Sequence, residues 1–372
     1  MIGALQTLAC LGLRISPIPG LWAARRAGEH DFRARFESVL SALKSNAVEL
    51  RLPAAYLREI ASAEPGAWRD PLIRVLEATE HETGVRVPPL RVVFDETLKP
   101  GCFRFRINHT LTPPFCGLAP GECLVNSPAG SLKQTVPDAR PALNPGSGYD
   151  AARVSSANRE ALEQAGYTCW TSSGYVALAL SESLRRRLNW FLDESTVEEL
   201  LEDGRAVSPR IVRVVEALLA KHELTGLLRA LCFGQAPLHN LKKLLEVIAD
   251  VEYAGASDVV AAIRAGLRRE ICGRHVRQSV VVAYLVDGSI VEALDEPADG
   301  EEAGRERVLA ALRQELAHLP RTITPPVLLL TTPSARLRVG RAIQDEFPRL
   351  AVLTYDELDP EISVQPIARI AC

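Results

Sequence analysis

Residues able to do nucleophilic, acid–base or metal chemistry are present, but their spacing supports none of these reactions. The eight cysteines form no CxxC pair, and the seven histidines lie far apart along the chain. A zinc site needs four clustered ligands, so we interpret the cysteines as reduced thiols that pack as small core residues. The stretch "HETG" at His81 is not the HExxH pattern of zinc proteases. We therefore expect no metal site and no catalytic triad.

Two other stretches could belong to a nucleotide-binding or acid–base site. "GSGYDA" (residues 146–151) fits the loose GxGxxG/A pattern, but it follows no clear strand and opens no clear helix. Asp356 and Glu357 follow the apolar stretch "LAVLTY", where an α/β enzyme can carry acids. We interpret the first stretch as a turn and the second as the polar end of a strand. Because the chain also lacks a GxxxxGK[ST] phosphate loop, we expect neither an enzyme nor a cofactor.

Composition narrows the class of protein further. The chain has 372 residues, of which 47% are hydrophobic, and this length indicates more than one domain. Its 43 basic and 46 acidic residues are well mixed and leave a net charge of −3. A nucleic-acid-binding protein would show a basic face or a high pI, so we expect no nucleic-acid partner.

The first residues are apolar but few. The stretch "MIGALQTLACLGL" (residues 1–13) would span about 20 Å as a helix, whereas a bilayer core is roughly 30 Å thick. A secretory signal would carry a positive charge before the apolar stretch, and none is present. We interpret the segment as a membrane-surface stub or the tail of a longer hydrophobic region, and we expect no complete transmembrane helix in the chain.

The order of hydrophobic periods predicts an α+β multidomain fold. An α/β first domain carries strands such as "CFRFRIN" (residues 102–108), in which apolar and polar residues alternate. Residues 117–150 are dense in Pro, Gly, Ser and Asn, which predicts a loop-rich β insert. Stripes at helical spacing follow, such as Leu241, Leu244 and Ile248, and predict a central all-α helical bundle. Beyond them, strands alternate with helices again, as in a small C-terminal α/β domain.

These changes of period divide the chain into a linker region and four subdomains. An apolar stub and linker is predicted at residues 1–47. The four subdomains are predicted at residues 48–120 together with 172–189, at 121–171, at 190–271 and at 272–372. In the third of these, one stripe is expected to face a core: Ile211, Val214, Val215, Leu218 and Leu219.

Four stretches, in this order, resemble the cytosolic region of the type III secretion export gate, the FlhA/SctV or FHIPEP family. They are "GVRVPPLRVVFDETLKPGCFRFRIN", "ALEQAGYTCWTSSGYVALALSESLRR", "LLRALCFGQAPLHNLKKLLEVIAD" and "PPVLLLTTPSARLRVGRAIQDEFPRLAVLTYDEL". The resemblance covers about residues 48–370. In addition, "SPIPGL" (residues 16–21) is similar to the "IPGLP" near the end of the family's membrane region.

The resemblance implies a docking platform rather than an enzyme. In this family the cytosolic region assembles into a nonameric ring under the bacterial inner membrane, on its cytoplasmic face. The ring receives chaperone–substrate complexes and passes substrates towards the channel. The implied partners are export chaperones, secretion substrates, the secretion ATPase complex and its stalk, other export-gate subunits and further copies of the chain.

The resemblance also indicates where partners would bind. The family's chaperone pocket carries a "DPAFG" motif, and the aligned residues here are Asn144, Pro145, Gly146, Ser147 and Gly148. Ser147 lacks the ring of the family's phenylalanine, unless Tyr149 takes that role two residues later. The family's "THL" becomes Leu178, Ala179 and Leu180. The candidate partner-binding residues are Asn144, Ser147, Gly148, Tyr149 and Leu178.

Two other functions remain open from the sequence. The family's bundle of membrane helices is absent, which favours a divergent soluble paralogue acting as a protein-interaction module outside secretion. A nucleotide-linked enzyme in the C-terminal α/β domain is the third hypothesis, and the lack of a glycine-rich phosphate loop there argues against it.

Overall fold

The computed structural model describes residues 47–255, 258–295, 300–316, 327–330 and 333–372. The predicted stub and linker therefore lies outside the described residues, apart from Ala47. Residues 48–372 form one compact unit. Within the described ranges, no helix combines the length and the apolar character that crossing a bilayer requires.

The described chain contains short strands and medium-length helices. The strands are β1 (Val48–Leu52), β2 (Leu90–Phe94), β3 (Cys102–Ile107), β4 (Thr110–Leu111), β5 (Phe115–Cys116), β6 (Glu122–Val125), β7 (Arg140–Leu143), β8 (Asp150–Ser155), β9 (Cys169–Trp170), β10 (Val276–Arg277), β11 (Val280–Val286), β12 (Val327–Leu330), β13 (Val352–Thr354) and β14 (Ser363–Ile370). The helices are α1 (Ala54–Ala63), α2 (Asp70–Thr83), α3 (Ala129–Leu132), α4 (Arg159–Gln164), α5 (Ser172–Arg185), α6 (Glu194–Val207), α7 (Pro209–Leu218), α8 (Lys221–Phe233), α9 (Leu241–Ala254), α10 (Val259–Gly266), α11 (Arg268–Gly273), α12 (Gly288–Asp295), α13 (Glu301–Leu316) and α14 (Pro333–Ile343).

Strand β1 lies at the centre of the first sheet. It pairs in parallel with β2 and antiparallel with β3, and β4 and β5 both pair with β3. Because side chains alternate along a strand, "VELRL" directs Val48, Leu50 and Leu52 into the core, where each is at most 1% exposed. The predicted strand at residues 102–108 is confirmed as β3.

The segment that follows the insert returns to this sheet. Helix α5 packs beside α2, and the ring of Tyr175 on α5 meets the edge of Phe103 on β3 with centroids 6.2 Å apart. Nine residues of α5 are buried, so this helix lies between the first sheet and its neighbours rather than on the surface.

The predicted division into four subdomains stays a prediction. One hydrophobic cluster runs from Val48 through the helices to Leu353.

The insert folds around a second sheet. Its four antiparallel strands are in the order β7-β8-β6-β9, and Cys123, Val125, Leu132 and Val154 form its core. The strands are too short to show a period in the sequence. Side chains from α3 and α4 complete the core of the insert.

Helices α6 to α11 follow the insert. Pro209 stands at the first position of α7, where a missing N–H costs little. The stripe predicted on this helix is partly wrong, because Val214 and Leu218 are 41% and 40% exposed. Val215 is buried as predicted, Ile211 and Leu219 pack on the core, and Val212, which was not in the predicted stripe, is buried beside them. The stripe on α9 is confirmed: Leu244, Leu245 and Ile248 are buried.

The last sheet is mostly parallel. β11 pairs in parallel with β12 and with β14, β12 pairs in parallel with β13, and β10 forms a short antiparallel pair with β11. Helices α12, α13 and α14 cover it and form a second core with Tyr284 and Val339. The alternation of strands and helices predicted for this region is confirmed.

Two interpretations of single residues need correction. Cys116 and Cys372 are exposed, because one lies at the edge of β5 and the other at the chain end, so they are not core residues. Glu357 is not simply the polar end of a strand: it is 2% exposed, whereas Asp356 beside it is exposed as expected. The buried carboxylate is satisfied by an arginine described below. "GSGYDA" is a turn that leads into β8, as predicted.

Candidate functional site

A groove of about 350 Å³ lies between α2 and α5. Its lining comes from one side of each helix and from the end of β9: Pro71, Arg74, Val75, Ala78, Thr79, Glu82, Trp170, Gly174, Ala177, Leu178, Ser181 and Arg185. The two helices pack side by side, so the groove is a shallow channel between two rigid elements. Rigid walls suit a site that holds a partner in one orientation.

Local sequence fixes both walls of the groove. Helix α2 begins with Pro71 in its first turn and ends at Gly84, whose φ of +73° is the left-handed conformation that suits glycine. Helix α5 begins at Thr171, whose hydroxyl accepts a hydrogen bond from the Gly174 N–H at 3.3 Å. A β-carbon at Gly174 would lie 3.2 Å from Cβ of Trp170, so a glycine lets α5 start close against this side chain.

The lining of the groove combines an apolar floor with a charged rim. Trp170 and Leu178 are half-buried and pack on the hydrophobic core. Arg74, Glu82 and Arg185 provide charges at the same site. An apolar floor with charges around it fits an amphipathic protein segment better than a small polar substrate.

The groove lining includes the hydroxyl groups of Ser181 and Thr79. Its lining contains no histidine or cysteine that could act as base or nucleophile towards Ser181 or Thr79. In the described part of the chain, no group of three or more His, Cys, Asp and Glu side chains could hold a metal ion.

The turn at residues 144–149 lies beside the groove. Asn144 is buried, and its side-chain oxygen accepts a hydrogen bond from the Gly146 N–H at 2.8 Å. Its backbone N–H donates to the Tyr149 carbonyl at 2.9 Å, which closes the turn. Gly148 has a φ of +73° and completes it. The asparagine thus uses its side chain to stabilise the turn.

Contact between this turn and the groove is made through Gly146. A β-carbon there would lie 3.2 Å from Leu178, so the turn rests on the residue that lines the groove. Of the five candidate partner-binding residues, Leu178 is in the lining and Asn144 supports the turn behind it. Ser147, Gly148 and Tyr149 are not among the lining residues.

Tyr149 lies outside the groove lining. It is 54% exposed, and it contributes, after burial and Glu315, to the raised pKa of Tyr284 in the C-terminal sheet. Tyr284 is buried and donates a hydrogen bond to the Glu315 carbonyl at 3.4 Å.

Comparison with known proteins identifies the family. The model of the FHIPEP family matches residues 22–363. The chain belongs to the FHIPEP family. Its resemblance to the export-gate family of type III secretion, seen in the sequence, is confirmed.

Curated relatives come from both branches of type III secretion. "Low calcium response locus protein D" of Yersinia pestis is 26% identical over 329 residues, which are 82% of this chain and 45% of that protein. "Flagellar biosynthesis protein FlhA" of Bacillus subtilis is 20% identical over 351 residues, 89% of this chain and 50% of that protein. This FHIPEP chain thus spans about half the length of the curated relatives it matches.

Solved structures share the fold of the FHIPEP chain. The Chlamydia pneumoniae CdsV protein superposes with a TM-score of 0.73 at 23% identity, covering 88% of this chain and 98% of that one. CdsV has also been solved in complex with CdsO, with a TM-score of 0.74 at 24% identity and 88% of this chain covered. The nonameric EscV cytosolic domain from the type III secretion system has a TM-score of 0.63 at 14% identity. The predicted α+β fold is confirmed.

A meeting point of three regions was not foreseen from the sequence. The turn between α8 and α9 receives contacts from the first domain, from α11 and from the C-terminal sheet. The Leu238 N–H donates to the Thr83 carbonyl at 2.7 Å, and Gln235 donates to the Pro348 carbonyl at 3.1 Å. Arg274 donates to the carbonyls of Glu82 and Gln235, both at 2.9 Å. Helix α2, one wall of the groove, is thereby fixed at its C-terminal end.

Proposed function

We propose that this FHIPEP chain is the docking platform of a type III secretion export gate, at the cytoplasmic face of the bacterial inner membrane. It receives export chaperones with their substrates and passes the substrates towards the channel, together with other export-gate subunits. The observation that carries the proposal is the groove between α2 and α5, with Leu178 in its lining and the turn at residues 144–149 against it.

The groove supports binding of a folded partner with an exposed apolar side chain. Trp170 and Leu178 offer an apolar surface that is half-buried before any partner arrives. Arg74 and Glu82 place opposite charges on the rim, which can set the orientation of a bound segment. Because the lining lacks catalytic groups, we propose that the protein works by binding and not as an enzyme.

Self-assembly into a ring is part of the same proposal. Val214 and Leu218 on α7 are 41% and 40% exposed, and Val207 at the end of α6 is 73% exposed. Three exposed aliphatic side chains near one helix offer an apolar contact to a second copy of the chain. The nonameric assembly of the EscV cytosolic domain supports this part of the proposal.

Contact with the secretion ATPase complex and its stalk is the last part of the proposal. The complex of CdsV with CdsO supports the idea that this fold binds a further protein of the secretion apparatus. No cofactor is needed for any of these interactions.

The proposal is tested by titrating the full chain with chaperone–substrate complexes encoded beside its gene, using calorimetry. Leu178→Asp and Trp170→Ala are expected to weaken binding at least about tenfold, because truncating a central apolar anchor often costs about 2 kcal/mol or more. Ile367→Ala, a change at a 43% exposed residue of β14 outside the groove lining, is the matched control and is expected to bind normally. Equal binding by all three variants would rule out the groove.

A protein-interaction module outside secretion is the second candidate. The turn at residues 144–149 favours this candidate, because it departs from the family's chaperone motif beside the groove. There Gly146, which has no side chain, rests on Leu178. If the wild-type chain binds none of the chaperone–substrate complexes but does bind other proteins through the groove, the second candidate is the correct one.

A further inference from the structure

Two cysteines face each other across neighbouring strands of the first sheet. Cys102 on β3 is directly opposite Cys116 on β5, and their sulfur atoms are 3.8 Å apart. Next to the pair, the Gly117 N–H donates to the Gly101 carbonyl at 2.9 Å. This pattern shows that the cysteines occupy a non-hydrogen-bonded position, where opposing Cα atoms approach to about 4.5 Å. That separation lies within the range that a disulfide spans.

The strands hold both sulfur atoms in place. The ring of Phe103 stacks on the ring of Phe115 with centroids 5.4 Å apart, so the residues next to the two cysteines are fixed to each other. Arg153 donates a hydrogen bond to the Cys116 carbonyl at 3.3 Å. The sulfur atoms have to approach from 3.8 Å to about 2.05 Å for the bond to form.

The two thiols differ in their access to solvent. Cys102 is 8% exposed, whereas Cys116 is exposed at the sheet edge. A small reagent can therefore reach Cys116 directly, and Cys102 is positioned to react with whatever is attached to Cys116. This is the arrangement of an attacking thiol with a resolving thiol behind it.

We propose that Cys102 and Cys116 form a redox-sensitive site that closes a cross-strand disulfide by exchange with a low-molecular-weight disulfide. The Cys116 thiolate attacks one sulfur of the reagent, which forms a mixed disulfide and releases one small thiol. The Cys102 thiolate then attacks the Cys116 sulfur and releases the second small thiol. The two protein thiols are oxidised, and one small disulfide is reduced to two thiols.

A second pair of cysteines provides an internal comparison. Cys123 and Cys169 lie on neighbouring strands β6 and β9, but Cys169 is opposite Val125, so the two cysteines are offset diagonally. Diagonal neighbours have Cα atoms about 7–8 Å apart, at or beyond the limit for a disulfide, although the two thiols are within hydrogen-bond reach of each other. Burial raises the pKa of the Cys123 thiol to about 11, and burial also raises the pKa of the Cys102 thiol, so the strand register is what distinguishes the two pairs.

Oxidation would fasten a specific part of the fold. The bond joins residues that are 14 positions apart and encloses Phe103, Phe105 and Phe115, whose rings contact one another. Phe103 also contacts Tyr175 on α5, one wall of the groove. The disulfide therefore restrains the strands on which that wall rests.

The experiment treats the reduced full chain with oxidised glutathione, blocks remaining thiols by alkylation and maps the peptides by mass. We expect a peptide pair linked through Cys102 and Cys116, released by dithiothreitol, with Cys123 and Cys169 alkylated. In Cys102→Ser, glutathione is expected to stay attached to Cys116, because no resolving thiol is present. In Cys116→Ser, Cys102 is expected to carry no glutathione.

Three outcomes would overturn the proposal. One is a wild-type chain in which Cys116 keeps glutathione while Cys102 remains open to alkylation. Another is a bond that forms between Cys123 and Cys169 in preference. The third is a Cys102→Ser variant in which Cys116 takes up no glutathione, since this would show that the thiol is not reachable.

Discussion

Arg264 and Glu357 form a two-point ion pair in the interior, although 93 positions separate them in the sequence. The Arg264 Nε and Nη2 atoms lie 2.5 and 3.0 Å from the two carboxylate oxygens, and the side chains are 0% and 3% exposed. The third nitrogen of Arg264 donates to the Gly234 carbonyl at 2.7 Å. The pair therefore connects α10, the turn between α8 and α9, and the segment after β13.

Removing Arg264 should strongly destabilise the protein. In Arg264→Ala, Glu357 loses its main partner and stays buried, and such an uncompensated charge usually costs about 3–5 kcal/mol. Arg336, whose Nε is 3.4 Å from the same carboxylate, compensates in part, so we expect the lower end of that range. Urea denaturation of the purified variant measures the loss in unfolding free energy.

Arg269→Ala is the matched control for this loss. Arg269 is 78% exposed and pairs with Asp359 at 2.9 Å, and exposed pairs contribute at most about 1 kcal/mol. The double variant Arg264→Met with Glu357→Leu should lose less stability than Arg264→Ala, because no charge is left unpaired. An Arg264→Ala protein as stable as Arg269→Ala would contradict the role assigned to the pair.

Stability should also fall between pH 7 and pH 5 because of His275. Burial lowers the pKa of His275 to about 4, and the charges of Arg274 and Arg264 act in the same direction. Since the unfolded chain takes up the proton near pH 6.5 and the folded chain does not, the unfolding free energy decreases as pH falls through this window.

We expect a loss of about 1–2 kcal/mol from this group at pH 5, and His275→Gln should remove it. Asp95 and Glu198 have lowered pKa values because of hydrogen bonds from Thr97 and Lys221 respectively. The stability that these two carboxylates add is lost as pH falls through the pKa range of carboxyl groups in the unfolded chain, which is about 4. They therefore hardly affect the comparison between pH 7 and pH 5. Denaturation curves of wild type and His275→Gln that change equally from pH 7 to pH 5 would refute the assignment.

Gly84 should be far less tolerant of alanine than Gly66, although both are left-handed. Their φ values are +73° and +78°, so each substitution carries about 1–2 kcal/mol of backbone strain. A β-carbon at Gly84 would also lie 2.3 Å from the His239 backbone nitrogen, whereas nothing lies within 4 Å at Gly66. We expect Gly84→Ala to lose at least about 2 kcal/mol more than Gly66→Ala in thermal or urea unfolding. Equal losses of stability in the two variants would contradict this prediction, because they would mean that the backbone at His239 moves away from the new β-carbon at little cost.

The secondary structure could be predicted where a period is long enough to show. Strand β3 and the buried stripe of α9 follow directly from alternation and from helical spacing. The stripe on α7 was only partly right, with Val214 and Leu218 exposed, because the apolar residues of this helix occupy more than one side and packing selects which of them are buried. The insert strands, of two to six residues, carry no period at all.

The site could be predicted less completely than the fold. Leu178 was found through family resemblance, but Arg74 and Trp170 were not, because they come from elements about a hundred positions apart and spacing cannot show which helices become neighbours. The sequence contains one feature from which the ion pair could have been predicted. Arg264 is a lone charge within the otherwise apolar "VVAAIRAGL", and a charge on a buried helix requires a partner.

Self-association of this chain should be weak and depend on concentration. The exposed aliphatic side chains of Val207, Val214 and Leu218 offer only a small apolar contact, so copies that are free in solution should associate weakly. Analytical ultracentrifugation should show mostly monomer at micromolar concentration and larger species above it. Leu218→Glu should suppress those species, while Ile367→Lys, at a similarly exposed residue of β14, should not. A ring that persists at nanomolar concentration would contradict this expectation.

The final prediction concerns the aromatic side chain of the family's motif, which Ser147 does not provide beside the groove. Residue 147 follows Gly146, which touches Leu178, so a phenylalanine there can reach the apolar floor of the groove. The Ser147 hydroxyl accepts only a long hydrogen bond of 3.4 Å from the Tyr149 N–H, so Ser147→Phe should cost the turn little. Wild type should bind a family-type chaperone at least about tenfold more weakly than a family member does, and Ser147→Phe should recover part of this difference.

Tyr149 provides the opposing test of that prediction. It is 54% exposed and is not among the residues that line the groove. Tyr149→Ala should therefore leave chaperone affinity within about twofold of wild type, because no anchor is removed from the groove. Calorimetry with the same chaperone decides the matter. Wild-type affinity equal to that of a family member, and lost in Tyr149→Ala, would transfer the aromatic role from position 147 to Tyr149.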